Sequence, residues 1–136
     1  MSEVVDIPAQ NVLSNMFATI YNNELRLRKE CLVVPASKLA SAVLQTMQRH
    51  RYVGEFEFID DGRSGKLRVQ LLGRVNRCGV VSPRFNVPKN DFTKWERRFL
   101  PAVGFGILII TTPVGVMSHL EAVEKNVGGR LLGYVY

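Results

Sequence analysis

Residues 55–71 read EFEFIDDGRSGKLRVQL. Phe56 and Phe58 alternate with Glu55 and Glu57, and after the turn-forming stretch from Asp60 to Gly65, Leu67, Val69 and Leu71 alternate with Lys66, Arg68 and Gln70. A period of two marks a strand with one buried face, and two such runs around a Gly-containing turn predict an antiparallel hairpin. The aromatic and aliphatic side chains are expected inward. On the other face the acids of the first strand stand across from the bases of the second, so Lys66 and Arg68 are expected to be neutralised by Glu55 and Glu57.

Toward the N-terminus, Val12, Leu13, Met16, Phe17, Ile20 and Tyr21 recur at helical spacing after a cap candidate, Asp6, and a helix-starting Pro8. This predicts a first helix ending near Asn22-Asn23. The basic loop of Arg26, Arg28 and Lys29 leads into Cys31-Leu32-Val33-Val34, an apolar run of buried-strand length. Pro35-Ala36-Ser37 stops it, and Ser37 is the expected N-cap of a second helix whose apolar side is Leu39, Ala40, Val43, Leu44 and Met47, running to about Arg49.

Toward the C-terminus, Gly73 to Lys89 (GRVNRCGVVSPRFNVPK) mixes Gly, Pro and bases with no acid, which reads as a linker holding one short strand near Val80-Val81. Asp91 then caps a helix with Phe92, Trp95 and Phe99 inward and Lys94, Arg97 and Arg98 outward, stopped by Pro101. Trp95 reads as core rather than as a base-stacking platform. Phe105 to Thr112 is a buried strand broken at Pro113. Ser118-His119-Leu120-Glu121 has capping-box spacing for a last short helix ended by Gly128-Gly129, and Arg130 to Tyr136 is a closing strand. The fold class expected is α/β (α+β) in two small subdomains. An α-β-α-β-β unit spans 1–72, a basic linker 73–88, and a β-rich unit with short helices 89–136.

Composition narrows the function. A chain of 136 residues can bury roughly two-thirds of its unfolded surface and needs no staples. Cys31 and Cys78 are too far apart for a zinc knuckle and read as reduced thiols of a cytosolic protein. The start of the chain carries acids rather than the basic start of a secretory signal, and no apolar run is long enough to span a bilayer, so no membrane partner is expected. The net charge is +6 and the pI about 9.7. Between Gly62 and Arg98 stand ten Lys and Arg against Asp91 and Glu96, so the positive excess is confined to the central third, which reads as a phosphate-binding face or as a solvated charged surface.

No Walker A sequence, nucleophile elbow or zinc motif occurs. An enzyme reading would make Thr111 or Thr112 a nucleophile with His119 as base, while His50, between Arg49 and Arg51, reads as a surface base. Binding explains the same residues more simply: a strand that delivers two hydroxyls into a turn opening onto a helix N-terminus suits phosphate, ribose and an exposed base edge. Gly128 and Gly129 either cap a helix or let the backbone approach a ligand closely.

The segments TTPVGVM, HLEA and GGRLLGYV, in that order, closely resemble the C-terminal signature of the universal S-eight family of small-subunit ribosomal proteins. The middle segment GEFEFIDDGRSGKLRVQLLGRVNRCGVVSPRF resembles that family's eukaryotic cytosolic branch, the S-fifteen-a type, and the likeness covers about Val12 to Tyr136. It implies a two-domain α/β protein of the cytoplasmic ribosome. Such a protein binds the central domain of small-subunit rRNA, supports its assembly, contacts neighbouring ribosomal proteins, needs no cofactor or metal, and is not an obligate homo-oligomer. The family's main RNA-contacting loop maps onto Thr111, Thr112 and Pro113. Ser37 and Lys38 carry over as backbone contacts, Gly115 and Gly128-Gly129 as support, and Arg84 as a phosphate contact. Two departures stand out: Pro113 replaces a Ser and brings neither hydroxyl nor N–H, and Val123-Glu124 stand where the family has Arg. The rivals are an extra-ribosomal RNA-binding regulator and the small enzyme above.

Overall fold

The computed structural model describes residues 9–63, 65–81, 85–102 and 104–136. The expected cap at Asp6, Pro8 and the candidate contact Arg84 lie outside them. The chain runs α1 (Ala9–Leu25), β1 (Glu30–Val33), α2 (Lys38–Arg49), β2 (Val53–Ile59), β3 (Lys66–Leu71), β4 (Cys78–Val80), β5 (Asn86–Val87), α3 (Phe92–Phe99), β6 (Ile107–Thr112), β7 (Gly115–Ser118), α4 (His119–Lys125) and β8 (Gly129–Val135). The class is the mixed α and β one expected.

β1, β3 and β2 form a three-stranded antiparallel sheet with β3 central. Its Leu67, Val69 and Leu71 are buried, as the alternation required. On the edge strand β2, Phe56 and Phe58 stand opposite Val69 and Leu67 on the same face, as expected, but that end of the sheet is thinly covered, so Phe56 is half-buried and Phe58 60% exposed. The charge pairing is also partial: Arg68 reaches Glu57 at 3.0 Å and Glu30 at 3.5 Å, whereas Lys66 stands opposite Ile59.

Ser37 caps α2 as expected, accepting the Ala40 N–H at 3.0 Å, and that helix buries Ala40, Val43, Leu44 and Met47 completely. Each large side chain so buried contributes about 1.5–3 kcal/mol. α1 continues past Asn22-Asn23 to Leu25, because the Glu24 carboxylate is turned inward and accepts the Val75 N–H at 3.3 Å.

The second sheet has the order β4-β8-β6-β7, with β5 also on β8. The segment 73–88 therefore carries more structure than a linker: β4 pairs with residues 133–135 of β8 and β5 with residues 129–130. Composition hides this, since strands of three and two residues among Gly, Pro and Arg show no periodicity, and their partner lies about fifty residues further on. β7 is a further strand that the break at Pro113 concealed.

Both faces of this sheet are covered. Ile107, Ile109, Leu132 and Val135 join the core formed by α1, α2 and the first sheet, whereas Leu108, Ile110 and Leu131 pack with Phe92, Trp95 and Ala122 from α3 and α4. Trp95 is core, as read. Asp91 occupies the cap position of α3, but its side chain makes no capping hydrogen bond. α4 ends on Asn126, in the left-handed conformation at φ 58°, and not on Gly128-Gly129.

Candidate nucleic-acid interface

β6 and β7 form a hairpin in which Thr112 pairs with Gly115, with Pro113 and Val114 at the tip. The departure Pro113 suits this place, because the second position of such a turn wants the φ that proline presets and needs no N–H. The Thr112 hydroxyl donates to the Gly115 carbonyl at 2.7 Å and accepts the N–H groups of Val114 at 3.1 Å and Gly115 at 3.2 Å. Its bonding capacity is spent inside the turn. Thr111, half-buried, stands between Val116 of β7 and Arg130 of β8.

Thr111, Thr112, Pro113, Gly128 and Gly129 line one surface depression of about 610 Å³, together with Lys89 and Arg130. Two cations therefore face it and no lining residue is acidic. Arg130 is held by a hydrogen bond from its Nε to the Asn86 side-chain oxygen at 3.1 Å. Sequence reasoning missed Arg130. Its signal was a lone base on an otherwise apolar closing strand, placed opposite Thr111 by the register.

Gly128 and Gly129 belong to the site for a packing reason. A Cβ on Gly129 would collide with the Thr111 carbonyl, and one on Gly128 with the Val87 carbonyl. They let β8 lie against β5 and β6 where the depression opens. Gly115 adopts a φ of 136°, which L side chains rarely take.

Other expected residues lie elsewhere. Ser37 and Lys38 border a different depression, of about 630 Å³, between the start of α2 and the rings of Phe56 and Phe58. The anion cradle expected at the helix after the strand end is also filled. β7 intervenes, Ser118 accepts the Glu121 N–H at 3.2 Å, and Glu121 accepts the Ser118 N–H at 3.0 Å. Glu121 further takes both Nε (3.0 Å) and Nη2 (3.2 Å) of Arg49, with His50 at 3.5 Å. Partial burial pushes its carboxyl up, but the bonds from Arg49, Ser118 and His50 prevail and hold it at about 2. Val123 and Glu124 are exposed on α4.

His119 is buried and accepts the Leu108 N–H on Nδ1 at 3.0 Å, with its Nε2 facing Glu96 at 3.5 Å. Burial holds the imidazole below its ordinary value, outweighing the Glu96 carboxylate. Burial likewise pushes the Cys31 thiol up to about 11 and Cys78 to about 12, so both are protonated and weakly nucleophilic. No cluster of metal ligands occurs among the described residues.

Residues 11–136 match the family model described as ribosomal protein S8. The small ribosomal subunit protein uS8 of Nitrosopumilus maritimus is 52% identical over 130 residues, covering 96% of this chain and 100% of the relative. That of Cenarchaeum symbiosum is 50% identical over 130 residues with the same coverage. That of Sulfolobus acidocaldarius is 51% identical over 133 residues, again covering 96% and 100%.

Proposed function

From this chain's membership of the ribosomal protein S8 family, which makes it a structural constituent of the small ribosomal subunit, we propose that it holds the central domain of small-subunit rRNA at the β6–β7 strand end. The archaeal relatives are consistent with the likeness to the eukaryotic cytosolic branch. The observation that carries the site is the depression where Lys89 and Arg130 stand beside Thr111, Pro113 and the Gly128-Gly129 backbone with no carboxylate among them. The two cations hold phosphates, the Thr111 hydroxyl and the exposed backbone meet ribose or a base edge, and the Thr112 hydroxyl supports the turn that presents them.

The protein acts by binding alone. A nucleophilic threonine would need its hydroxyl free and a base beside it, but the Thr112 proton is given to Gly115 and His119 is engaged with Leu108 and Glu96. Ser37 and Lys38, at the start of α2, form a separate contact with the RNA backbone or with a neighbouring protein. Arg84 is a further phosphate contact.

The test is titration of a folded central-domain rRNA fragment and a scrambled fragment with wild type, Thr111→Val and the pair Lys89→Gln with Arg130→Gln. Thr111→Val should narrow the preference for the cognate fragment by about 0.5–1.5 kcal/mol, and the pair should weaken both RNAs. Unchanged affinity for the cognate fragment in both variants would remove the site from the strand end.

A further inference from the structure

The face of the second sheet that α3 covers carries a row of aromatic rings that the strand-end depression does not use. Tyr134 on β8 and Tyr136, one residue past its end, lie with ring centroids 6.2 Å apart and planes 20° from parallel. Phe99 stacks on Tyr134 at 5.6 Å and on Trp95 at 6.3 Å, and Phe85 packs on Trp95 at 4.6 Å. At the other end Phe105, 51% exposed, lies 6.5 Å from Tyr136. Trp95 alone among these is buried, and the rest keep part of their rings in solvent.

Cations lie along the row. The Arg98 guanidinium is 5.2 Å from the Phe85 centroid, 5.3 Å from Phe99 and 5.5 Å from Trp95, while the Lys94 ammonium is 5.3 Å from Trp95. Beyond Phe105 and Tyr136 the row opens into a cleft of about 260 Å³ bordered by Arg74, Asn76 and Tyr52. The ion pairs among the described residues engage Arg49, Arg68, His50 and His119, and none of them joins Arg74, Lys94 or Arg98 to a described acid. Glu96, the one acid within α3, is directed at His119.

We propose that this strip is a second RNA-contacting surface and that it takes an unpaired stretch of RNA. Exposed bases stack on aromatic faces and on guanidinium planes, whereas a duplex hides its bases and offers only backbone and groove. A guanidinium already laid over three rings is preorganised: its outer face can accept a base and its edge can bond a phosphate. Arg74 and Lys94 supply charge along the strand's backbone. Trp, Tyr and Arg also mark protein interfaces, but three cations along the row, none paired with an acid among the described residues, favour a polyanion. The strip starts next to the strand-end depression, where the Phe85 carbonyl accepts the Leu131 N–H, and its Tyr136 end lies roughly 20 Å along the chain from Arg130, so one rRNA can be held along both. The proposal rests on the reading that the chain binds rRNA, and adds to it the class of RNA and the place.

The test is fluorescence anisotropy with two probes: a folded central-domain rRNA fragment, and a labelled unpaired oligonucleotide of about twelve nucleotides with no self-complementarity, within the usual span of such sites. The double variant Arg98→Gln with Phe105→Ala changes only exposed side chains, and Arg74→Gln, outside the aromatic packing, is an independent second variant. Both should weaken oligonucleotide binding, the double variant about tenfold or more. The strand-end pair Lys89→Gln with Arg130→Gln should leave oligonucleotide binding within about twofold while weakening the folded fragment. Failure of wild type to bind the oligonucleotide, or wild-type binding by both strip variants, overturns the inference and assigns the strip to an acidic protein surface, provided the folded fragment is still bound. Failure of wild type to bind the folded fragment as well would sink the strand-end reading instead.

Discussion

The Thr112 hydroxyl donates to the Gly115 carbonyl at 2.7 Å across the tip of the β6–β7 hairpin, and the same oxygen accepts the two N–H groups that follow Pro113. The two threonines at this strand end therefore have separate duties. Thr112 closes the turn, and Thr111 lines the depression in which the RNA contact is proposed.

The first prediction follows from that division. Thr112→Val leaves the Val114 and Gly115 N–H groups without their acceptor and should lower stability by about 1–3 kcal/mol. Thr112→Ser should restore most of it. Thr111→Val should leave stability within about 0.5 kcal/mol, as for substitutions away from such features. Urea denaturation of the three variants checks this, and equal losses for Thr111→Val and Thr112→Val would contradict it.

The second prediction concerns Gly129, whose missing Cβ lets β8 pass the Thr111 carbonyl. Gly129→Ala forces the strands apart and should cost about 1–3 kcal/mol, as overpacking does. Gly115→Ala meets open space and should lose only the strain of its φ, about 1 kcal/mol. Thermal melts of both variants give the order, and a Gly129→Ala protein as stable as wild type would mean that the strand spacing is not set there.

How much of this was legible follows from where each signal resides. β3 and α2 were read nearly to the residue, since alternation from Lys66 to Leu71 and the Ser37 cap are local features. β4 was read only as a short strand near Val80-Val81 and β5 not at all, because what makes Cys78–Val80 and Asn86–Val87 strands is the backbone of β8 and not their own side chains. Phe58 stands opposite Leu67 on the face that alternation gave it, but its exposure depends on how little covers that end of an edge strand, which a count of two does not carry. In the site, Thr111, Thr112, Pro113 and the glycine pair were found together, while Arg130 required the β6–β8 pairing to bring it opposite Thr111. That Thr112 serves the turn depends on angles that spacing does not carry.

The third prediction is a stability profile in acid with two windows. His119 has a folded pKa below its ordinary 6.5, so the unfolded chain binds the proton first and stability falls as pH drops below 6.5. Glu121 is held at about 2 against an ordinary 4.5, so its contribution is full above 4.5 and is lost as pH falls from there through 2. The Arg49–Glu121 pair is partly solvated, so Glu121→Gln should cost only about 1 kcal/mol at neutral pH and should flatten the lower window. His119→Asn, which keeps an acceptor for the Leu108 N–H, should flatten the upper one. Denaturation midpoints from pH 7 to 2 separate the two, and an upper window that survives His119→Asn would locate that titration in another group.

The fourth prediction uses salt to distinguish the charges of the strand-end depression from its hydroxyl. Lys89 and Arg130 are the cations that line it, and Arg130 is fixed by Asn86 rather than by a carboxylate, so its charge is available to a phosphate. Each phosphate contact releases condensed counterions, so the affinity for rRNA should fall linearly on a log–log plot against salt. Lys89→Gln with Arg130→Gln should make that slope shallower by about 1–2 units, one for each contact removed. Thr111→Val removes no charge and should leave the slope as it is while lowering affinity at every salt concentration. Asn86→Ala tests the positioning directly: it frees the Arg130 side chain without removing its charge, so affinity should drop while the slope stays near that of wild type. A slope that the double change leaves untouched would mean that the phosphates are held elsewhere, whatever the Thr111 hydroxyl contributes.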